Sequence, residues 1–377
     1  MNAGTYDVVI VGSGIVGAAC ALECAQQKLR VAVLDHDTVG GGATAAGMGH
    51  IVVMDDSEAQ FSLTRYSQQL WQELRPELPD DVEYTQCGTI WVAADDEEMS
   101  EVHRKAAYYG RHGVPAQILS AEELENLEPN LQKGLAGGLI VPEDGVLYPP
   151  CAARFLIEKA QNHGALLQLG APVSGIGNGR VRRADGTEIS AGIIVNAAGA
   201  WAWELTRGIS VKKRKGHLVI TDRYPGFVSH QLVELGYLKS AHSHNADSVA
   251  FNVQPRRTGQ VLIGSSRQYG AEHKEVDHDI LARMLQRAQQ YMPGLAQTSA
   301  IRVWTGFRAA TPDKLPLIGP CAEDSTVYLA TGHEGLGITT SLASARLLVD
   351  QILGSTSAIS REPYLPARVT TLEHAHV

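Results

Sequence analysis

The sequence predicts an α/β fold in which a doubly wound, mainly parallel sheet is interleaved with a second, antiparallel sheet. The chain opens with an apolar strand, a glycine turn and a small-residue helix, which is the pattern of a βαβ unit. Strand–glycine–helix patterns return near its end, while the blocks between them carry hairpin turns and alternating polarity. A chain of 377 residues also favours two domains over one.

The first βαβ unit predicts a dinucleotide site of the Rossmann-like kind. Its strand, residues 7–11, runs into Gly12, Ser13, Gly14, Ile15, Val16 and Gly17, a G-x-G-x-x-G motif. Gly12 permits the tight turn, Gly14 lets the backbone approach a pyrophosphate, and Gly17 lets helix and strand pack closely. Asp35 ends the second strand, next to His36, where it can accept hydrogen bonds from an adenosine ribose. This motif alone does not distinguish FAD from NAD.

Composition excludes several other classes of protein. The net charge of −9 argues against a nucleic-acid partner. The basic cluster at residues 212–215 is a local exception, which indicates either a solvated strand end or attraction of an anionic group, such as a cofactor phosphate or a partner surface. The five cysteines form no C-x-x-C motif, so no metal site is predicted. No apolar run is long enough to cross a membrane and no signal peptide precedes the first strand, so a soluble, cytoplasmic protein is expected.

Three later glycine-rich segments are typical of backbone that approaches a large ligand. Residues 40–49 contain five glycines, and His50 follows them as either a ligand neighbour or an ordinary loop histidine. The apolar strand at 193–196 runs into a second small-residue turn, residues 197–201, whose alternative is a plain strand-to-helix connection. The strand at 327–331 leads through the third, residues 332–338, into a long helix, whose N-terminus would point back at a ligand.

The same patterns predict how the two domains share the chain. The nucleotide-binding domain comprises residues 1–75, 143–210 and 318–358. The antiparallel-sheet domain, expected to carry the substrate, comprises residues 76–142 and 211–317, and residues 359–377 form a C-terminal tail. The division follows the change from helix-flanked apolar strands to hairpin-linked ones.

These motifs together resemble the D-amino-acid oxidase family of FAD enzymes, which includes glycine oxidase and monomeric sarcosine oxidase. The resemblance extends over residues 5–355 and rests on the order and spacing of its motifs. Besides the segments above, it is carried by residues 306–319, Gly-Phe-Arg-Ala-Ala-Thr-Pro-Asp-Lys-Leu-Pro-Leu-Ile-Gly. The family commonly has Glu where this chain has Asp35, and often Arg-Pro where it has Arg308 and Ala309. The resemblance implies a FAD-binding domain of the GR2, D-amino-acid oxidase type.

The resemblance also implies the residues of the site. FAD is expected to bind non-covalently, because Cys321 does not match the flavin-linking cysteine of the sarcosine oxidases. Arg308 matches the family's substrate-carboxylate arginine, against the alternative of a structural salt bridge. Tyr237 and His244 are further candidates for substrate contact in the roof of the site, although ordinary packing or surface positions are the alternative. The residues expected at the cofactor are Gly12, Ser13, Gly14, Ile15, Val16, Gly17, Asp35, His36, Gly42, Ala43, Thr44, Gly47, Met48, Val173, Ala197, Ala198, Gly199, Trp201, Gly306, Arg308, His333, Glu334, Gly335, Leu336, Gly337, Ile338 and Thr339.

Within the family, residues 332–338 look most like the flavin subunits of heteromeric bacterial dehydrogenases, and hydrogen cyanide synthase is a relative. The resemblance implies oxidation of a Cα–N bond by hydride transfer to flavin N5, with electrons passed to a partner subunit. D-hydroxyproline is the first candidate substrate, followed by an opine or proline. Some relatives hold a second flavin, FMN, at the subunit junction. The alternatives are a free-standing oxidase that makes hydrogen peroxide and a non-catalytic flavoprotein.

Overall fold

A computed structural model describes residues 6–236 and 247–369 of the chain. The helices are α1 (Ile15–Gln26), α2 (Gly42–Ala45), α3 (Glu58–Leu74), α4 (Asp96–Arg111), α5 (Ala121–Leu127), α6 (Pro149–Asn162), α7 (Ala202–Leu205), α8 (His278–Tyr291) and α9 (Gly337–Leu353). The strands are β1 (Tyr6–Val11), β2 (Val31–Leu34), β3 (His50–Ile51), β4 (Thr89–Ala93), β5 (Gln117–Ser120), β6 (Gly137–Val141), β7 (Gly145–Val146), β8 (Leu166–Gln168), β9 (Val173–Gly177), β10 (Arg180–Arg183), β11 (Glu188–Asn196), β12 (Lys212–Arg223), β13 (Gln231–Glu234), β14 (Ser248–Pro255), β15 (Gln260–Arg267), β16 (Ala300–Ala310), β17 (Leu317–Pro320) and β18 (Val327–Thr331).

The first sheet is the predicted nucleotide-binding sheet. Its strands lie in the order β17-β18-β11-β1-β2-β8, with β9 and β10 added beside β11. The pairs from β18 across to β8 are parallel, and β17 joins the edge in the antiparallel sense. The side chains of Val8, Val9 and Ile10 are fully buried, as expected for a strand covered on both faces. Helices α1, α6 and α9 pack together in one apolar core with this sheet.

The second sheet has the strand order β16-β12-β15-β14-β13-β4-β6-β5. All of its pairs are antiparallel except β13 with β4. One face of the sheet packs against α8 through a core that includes Phe251 and Met284. The opposite face is free to form the wall of a cavity, and strand alternation decides which residues lie on it.

The basic cluster at residues 212–215 is exposed at Lys212, as a solvated strand end would be, but not further along β12. A solvated strand end is wrong for Arg214, which is 5% exposed, and for Lys215, which is fully buried. The physical reason is that side chains project from the two faces of a strand and both faces of β12 are covered here. Arg214 pairs with Glu334 on one face, and Lys215 Nζ lies 3.5 Å from His273 Nδ1 on the other.

No helix in residues 6–236 and 247–369 is both long and apolar enough to span a membrane. Each of the two sheets takes its strands from several separate parts of the chain. The domain boundaries stay a prediction from the sequence.

Candidate active site

A cavity of about 590 Å³ lies where the two sheets face each other. One side is formed by the carboxyl ends of β1, β2 and β11 with the turns that follow them, together with the N-terminus of α9. The other side is formed by side chains from β4, β12, β13, β14, β15 and β16. Ligands of open α/β sheets bind outside the carboxyl ends of the strands, so this is the expected place for a dinucleotide.

The turn between β1 and α1 can be built only with glycine at two of its positions. Gly12 has φ +108°, and a Cβ there would lie 2.5 Å from the Ala197 carbonyl oxygen. A Cβ at Gly17 would lie 2.0 Å from the Gly12 carbonyl oxygen. The first contact brings the β11 turn against the β1 turn, and the second brings helix and strand close together. The two turns therefore form one continuous backbone surface beside the cavity.

Asp35 stands at the end of β2 as the sequence predicts. The Ser13 backbone N–H and hydroxyl both donate to its Oδ2, at 2.6 and 2.7 Å. The Asp37 N–H donates to its Oδ1 at 3.0 Å, and the Nδ1 atom of His36 lies 3.2 Å from the same oxygen. The carboxylate side chain is 12% exposed and lines the cavity. It is thus held in one orientation as an acceptor for ribose hydroxyls.

Two helix N-termini converge on the cavity. Gly14, Ile15 and Val16 of the first helix line it, and the Ile15 N–H donates to the Thr44 hydroxyl at 2.9 Å. The turn that opens α9, residues 335–338, lines it from another side. The first N–H groups of a helix have no acceptor within the helix, and they stand at the positive end of its dipole, so they attract phosphate oxygens or electron-rich ring atoms.

The segment that carries α2 packs tightly between the two sides of the cavity. A Cβ at Gly47 would lie 2.6 Å from Ile338 Cδ1, and a Cβ at Gly306 would lie 2.3 Å from Ala46 Cβ. Both glycines therefore allow backbone contacts that a side chain would prevent. The glycine-rich stretch of residues 40–49 is an ordered part of the cavity wall.

Most of the residues predicted at the cofactor line this one cavity. The exceptions are Ser13, Gly17 and Thr339, which lie behind it: Ser13 holds Asp35, Gly17 packs on the β1 turn, and the Thr339 hydroxyl donates to the His50 carbonyl at 2.8 Å. Tyr237 and His244 lie outside the described residues. The predicted residues that line the cavity are Gly12, Gly14, Ile15, Val16, Asp35, His36, Gly42, Ala43, Thr44, Gly47, Met48, Val173, Ala197, Ala198, Gly199, Trp201, Gly306, Arg308, His333, Glu334, Gly335, Leu336, Gly337 and Ile338.

Arg308 lies on β16 with its guanidinium spread across the neighbouring strand. Its Nη1 donates to the Ser266 carbonyl on β15 at 2.9 Å. A Cβ at Gly216 would lie 2.5 Å from the same nitrogen, so the absence of a side chain on β12 makes room for it. A Cβ at Gly335 would lie 3.6 Å from Arg308 Nε. The guanidinium therefore sits on the cavity wall beside the turn that opens α9.

Other charged residues stand near Arg308. Arg214 forms an ion pair with Glu334, and its guanidinium carbon lies 4.5 Å from the centre of the Tyr269 ring. Burial lowers the pKa of Lys314, and the charges of Arg267 and Arg214 lower it further. Within residues 6–236 and 247–369, no group of three His, Cys, Asp or Glu side chains is arranged to hold a metal ion.

Two buried histidines at the cavity, His50 and His333, have lowered pKa values. Burial lowers the pKa of His50 to about 4; the charge of Arg308 acts in the same direction and the Gln231 side chain opposes it. Burial alone lowers the pKa of His333 to about 3, and its Nε2 lies 3.0 Å from the Ser344 hydroxyl. Near neutral pH, neither imidazole adds a positive charge to the site.

Sequence reasoning missed the residues that β4, β13 and β14 contribute. Trp91, Gln231 and Asn252 line the cavity, and none belongs to a recognisable motif. The sequence offered one signal, which is a polar residue within an apolar strand at Gln231 and at Asn252. That signal does not indicate which face of the sheet the residue lies on or which ligand it contacts. Their common position at the cavity follows only from the pairing register of the strands.

The cavity fits FAD by the chemistry of its walls. The glycine turns leave backbone where phosphates must approach, the two helix N-termini offer N–H groups, and Asp35 presents acceptor oxygens. Residues 12–17 and 42–48 would hold the pyrophosphate and ribose side, and the α9 turn would lie at the ring system.

Comparison with known proteins agrees with this geometry. A family model described as FAD dependent oxidoreductase (DAO) matches residues 7–351. The hydrogen cyanide synthase subunit HcnC of Pseudomonas aeruginosa is 30% identical, over 97% of this chain and 96% of that protein. The crystal structure of glycine oxidase from Geobacillus kaustophilus superposes with a TM-score of 0.87 at 27% identity, over 97% of this chain and 99% of its own. That of L-proline dehydrogenase from P. horikoshii superposes with a TM-score of 0.87 at 25% identity, over 98% of each chain.

These matches confirm three predictions made from the sequence: the resemblance to D-amino-acid oxidase-type enzymes, the fold class and the use of FAD. They extend over nearly the whole chain rather than over the dinucleotide motif alone. The chain belongs to the DAO family of FAD dependent oxidoreductases.

Proposed function

We propose that this chain oxidises the Cα–N bond of a D-amino acid or a cyclic secondary amino acid, with D-hydroxyproline as the first candidate. The observation that carries the proposal is Arg308, whose guanidinium lies on the cavity wall beside the α9 turn. A guanidinium binds a carboxylate through two parallel hydrogen bonds and so orients the whole amino acid. The names of two similar proteins, glycine oxidase and L-proline dehydrogenase, support the same class of substrate.

Bound FAD supplies the acceptor for a hydride that leaves the substrate Cα. The protein has to hold that carbon in place, and Arg308 does so through the carboxylate. The substrate amine must be neutral for its lone pair to assist the reaction. The positive charge of Arg308 and the closed cavity disfavour an ammonium group, which lowers the pKa of the bound amine. The N-terminus of α9 stabilises negative charge in the part of the cavity that it faces.

We further propose that electrons leave the chain through a partner subunit rather than directly to dioxygen. HcnC, which matches this chain over nearly its full length, is by name a subunit of a synthase. A second flavin, FMN, at the junction with the partner belongs to the same proposal. A free-standing oxidase is the second candidate, favoured by the similarity to glycine oxidases, and an opine is the alternative substrate.

The experiment is anaerobic reduction of the protein-bound flavin. The purified holoenzyme is mixed in turn with cis-4-hydroxy-D-proline, other D-amino acids, glycine, sarcosine and opines, and its visible spectrum is followed. Bleaching by a D-amino or cyclic amino acid is expected, with slow recovery in air. Rapid recovery in air would contradict the partner-acceptor proposal, and no bleaching by any amine would contradict the proposed reaction. Mass spectrometry of released flavins in the isolated complex counts FAD and FMN.

Replacement of Arg308 tests the carboxylate contact. Arg308→Ala is expected to raise the KM of the best substrate roughly 30-fold or more, because loss of a charge pair in a closed site costs about 2–5 kcal/mol. Flavin content should remain close to that of the wild type. Arg302→Ala, which removes an exposed arginine from the same strand, is the matched control and should leave KM unchanged. An unchanged KM for Arg308→Ala would overturn the assigned role.

A further inference from the structure

A group of charged side chains lies on the cavity wall around Arg308. Arg214, Arg267 and Lys314 line the cavity together with it, and Glu334 lies among them. Arg214 forms an ion pair with Glu334, and Arg267 Nε lies 3.9 Å from Glu334 Oε1. The positive charges of Arg267 and Arg214 act on Lys314, so this lysine belongs to the same group. The cavity therefore holds three cations besides the one assigned to the substrate carboxylate.

The pairing of β16, β12 and β15 brings these side chains together. Arg214 on β12 is the cross-strand partner of Arg308 on β16. The Arg308 guanidinium passes over Gly216 of β12 and donates to the Ser266 carbonyl of β15 at 2.9 Å. Arg267 is the next residue of that strand, and its side chain also lines the cavity. The additional cations thus begin on the strands next to the one that carries Arg308.

Lys314 enters the cavity from a turn that the surrounding structure holds in place. Its φ is +63°, in the left-handed region that residues with a side chain seldom adopt. The Leu315 N–H donates to Asp313 Oδ1 at 3.1 Å, and Arg368 forms an ion pair with Asp313 and donates to the Leu315 carbonyl at 2.6 Å. Backbone of this kind persists where neighbouring contacts fix it, often at a ligand-binding site.

A ligand in the cavity can reach two of these cations. The Arg267 side chain is 14% exposed and Lys314 is half-buried, and both line the cavity. The Arg214 side chain is 7% exposed and is engaged with Glu334. Arg267 and Lys314 are therefore available to a bound molecule, while the ion pair of Arg214 with Glu334 forms the wall behind them.

The charges of this group indicate what the ligand carries. Burial lowers the pKa of Lys314, and the two carboxylates that oppose this shift are Asp56 and Glu334. Four cations thus stand with two carboxylates among the described residues, and residues 237–246, which lie outside them, contain no Asp or Glu. A substrate carboxylate at Arg308 balances one of the two remaining positive charges. The last one matches a single further carboxylate and falls short of the two charges of a phosphate.

The reach of such a substrate fits the spacing of the strands. In D-glutamate, and in an amino acid with a carboxymethyl group on its nitrogen, four bonds separate the two carboxylate carbons, which are then about 5 Å apart. Neighbouring strands of a sheet are also about 5 Å apart. A substrate whose first carboxylate is held by Arg308 on β16 can therefore direct its second one towards the cations of the adjoining strands.

We infer that Arg267 and Lys314 form a subsite for a second carboxylate of the substrate. The inference rests on the proposed amino-acid oxidation and specifies its substrate class further. That class comprises D-amino acids with an acidic side chain and amino acids with a carboxyalkyl group on nitrogen, as in an opine. It favours these over D-hydroxyproline, whose single carboxylate is bound at Arg308.

The test compares matched ligands that differ in one charge. D-glutamate is compared with D-glutamine, and N-carboxymethyl-D-alanine with N-carbamoylmethyl-D-alanine, through the apparent Kd from saturation of anaerobic flavin reduction by the holoenzyme. The acid of at least one pair should bind about tenfold more tightly than its amide, because hydrogen bonds between charged groups are stronger than those to neutral ones. The pair that shows the preference distinguishes an acidic side chain from a carboxyalkyl amine. Equal affinities within both pairs would overturn the inference.

Variants of the two cations assign the preference to the subsite. Lys314→Gln and Arg267→Gln should each reduce the preference for the acid at least fivefold, through weaker binding of the acid. Lys314→Arg keeps the charge and should keep the preference. Lys28→Gln is the matched control, because Lys28 is an exposed lysine that also has a positive φ, +65°.

Two results with these variants would contradict the subsite. Circular dichroism reports whether each variant is folded, and flavin absorbance reports its FAD content. A preference that survives in both folded glutamine variants would show that neither cation binds the second carboxylate. Loss of FAD from both folded variants, with the preference intact in the fraction that keeps it, would assign the two cations to the cofactor instead.

The outcomes separate this inference from the proposed function. If the amides reduce the flavin and bind as tightly as the acids do, the proposed reaction stands and only the subsite fails. If no amino acid reduces the flavin, the proposed reaction fails. The subsite is then judged by the flavin difference spectrum alone, in which tighter binding of the acid supports it and equal binding overturns it.

Discussion

The role of Asp35 can be predicted from the sequence, but the hydrogen bonds that hold its carboxylate cannot. Its position after β2 indicated a ribose contact, but nothing in the sequence indicated that the Ser13 N–H and hydroxyl would both donate to one of its oxygens. That double hydrogen bond orients the carboxylate before any ligand arrives. Preorganisation of this kind lowers the entropy cost of binding.

Replacement of this carboxylate should weaken cofactor binding. Asp35→Ala is expected to raise the Kd of FAD about tenfold or more, since hydrogen bonds to a charged acceptor contribute about 1.5–3 kcal/mol each. The measurement is the fluorescence of flavin released on dilution of the holoenzyme. Asp185→Ala, in an exposed hairpin turn, serves as the control and should hold FAD as the wild type does. Unchanged flavin retention in Asp35→Ala would contradict the ribose contact.

Among the elements, the turn between β6 and β7 is tied through one residue, Asp144, to the segment before α3 and to α3 itself. Asp144 is fully buried, and its Oδ1 accepts from the Val53 N–H at 3.2 Å and from the Gln68 side chain on α3 at 2.8 Å. Burial raises the pKa of Asp144 to about 7, although the hydrogen bonds of Thr89 and Val53 oppose the shift. The folded protein therefore favours the protonated form of Asp144 at mildly acid pH.

This shift predicts how stability depends on pH. The folded state binds a proton on Asp144 between pH 3.8 and about 7 and the unfolded state does not, so the contribution is lost as pH rises through about 7. Asp144→Asn keeps a neutral side chain, and its unfolding temperature should therefore rise relative to that of the wild type between pH 5 and pH 8. Asp80→Asn, with a side chain 97% exposed, is the control. A constant difference across this range would show that Asp144 does not titrate there.

At the scale of the whole molecule, histidines with lowered pKa values are buried both at the cavity and beside the N-terminus of α8. His217 is fully buried; its Nε2 accepts from the Asp277 N–H at 2.9 Å and its Nδ1 lies 2.9 Å from the Ser266 hydroxyl. Burial lowers the pKa of His217 to about 4, and the charges of Lys215 and Arg308 also lower it, while Asp277 opposes them. The pKa values of His50 and His333, which line the cavity, are shifted in the same direction.

Acid should therefore lower the stability of the folded protein through these buried histidines. Between pH 6.5 and about 4 the unfolded chain protonates His217 and the folded chain does not, so stability falls as pH falls through this range. His217→Gln should lower the slope of unfolding temperature against pH there, in thermal unfolding of the holoenzyme. His103→Gln, on the exposed face of α4, should leave the slope unchanged. An unaltered slope in His217→Gln would contradict a neutral buried imidazole.

The sequence by itself determined the dinucleotide half of this protein. Gly12, Gly17 and Asp35 could be recognised because each answers a local requirement: a positive φ, a close backbone approach, or an acid at a strand end. Such requirements are met within a few residues of the chain, so a motif of fixed spacing records them. The family resemblance added Arg308 by the same means.

Only the tertiary structure shows which side chains of the second sheet are buried and which line the cavity. Lys215 is buried because the face of β12 from which it projects is covered, and Trp91, Gln231 and Asn252 share one face because β4, β13 and β14 pair in one register. A strand pattern records which residues alternate, but a shift of one residue in the pairing would turn each side chain to the other face. Which side chains of the second sheet line the cavity therefore depends on long-range pairing, which the order of residues alone does not reveal.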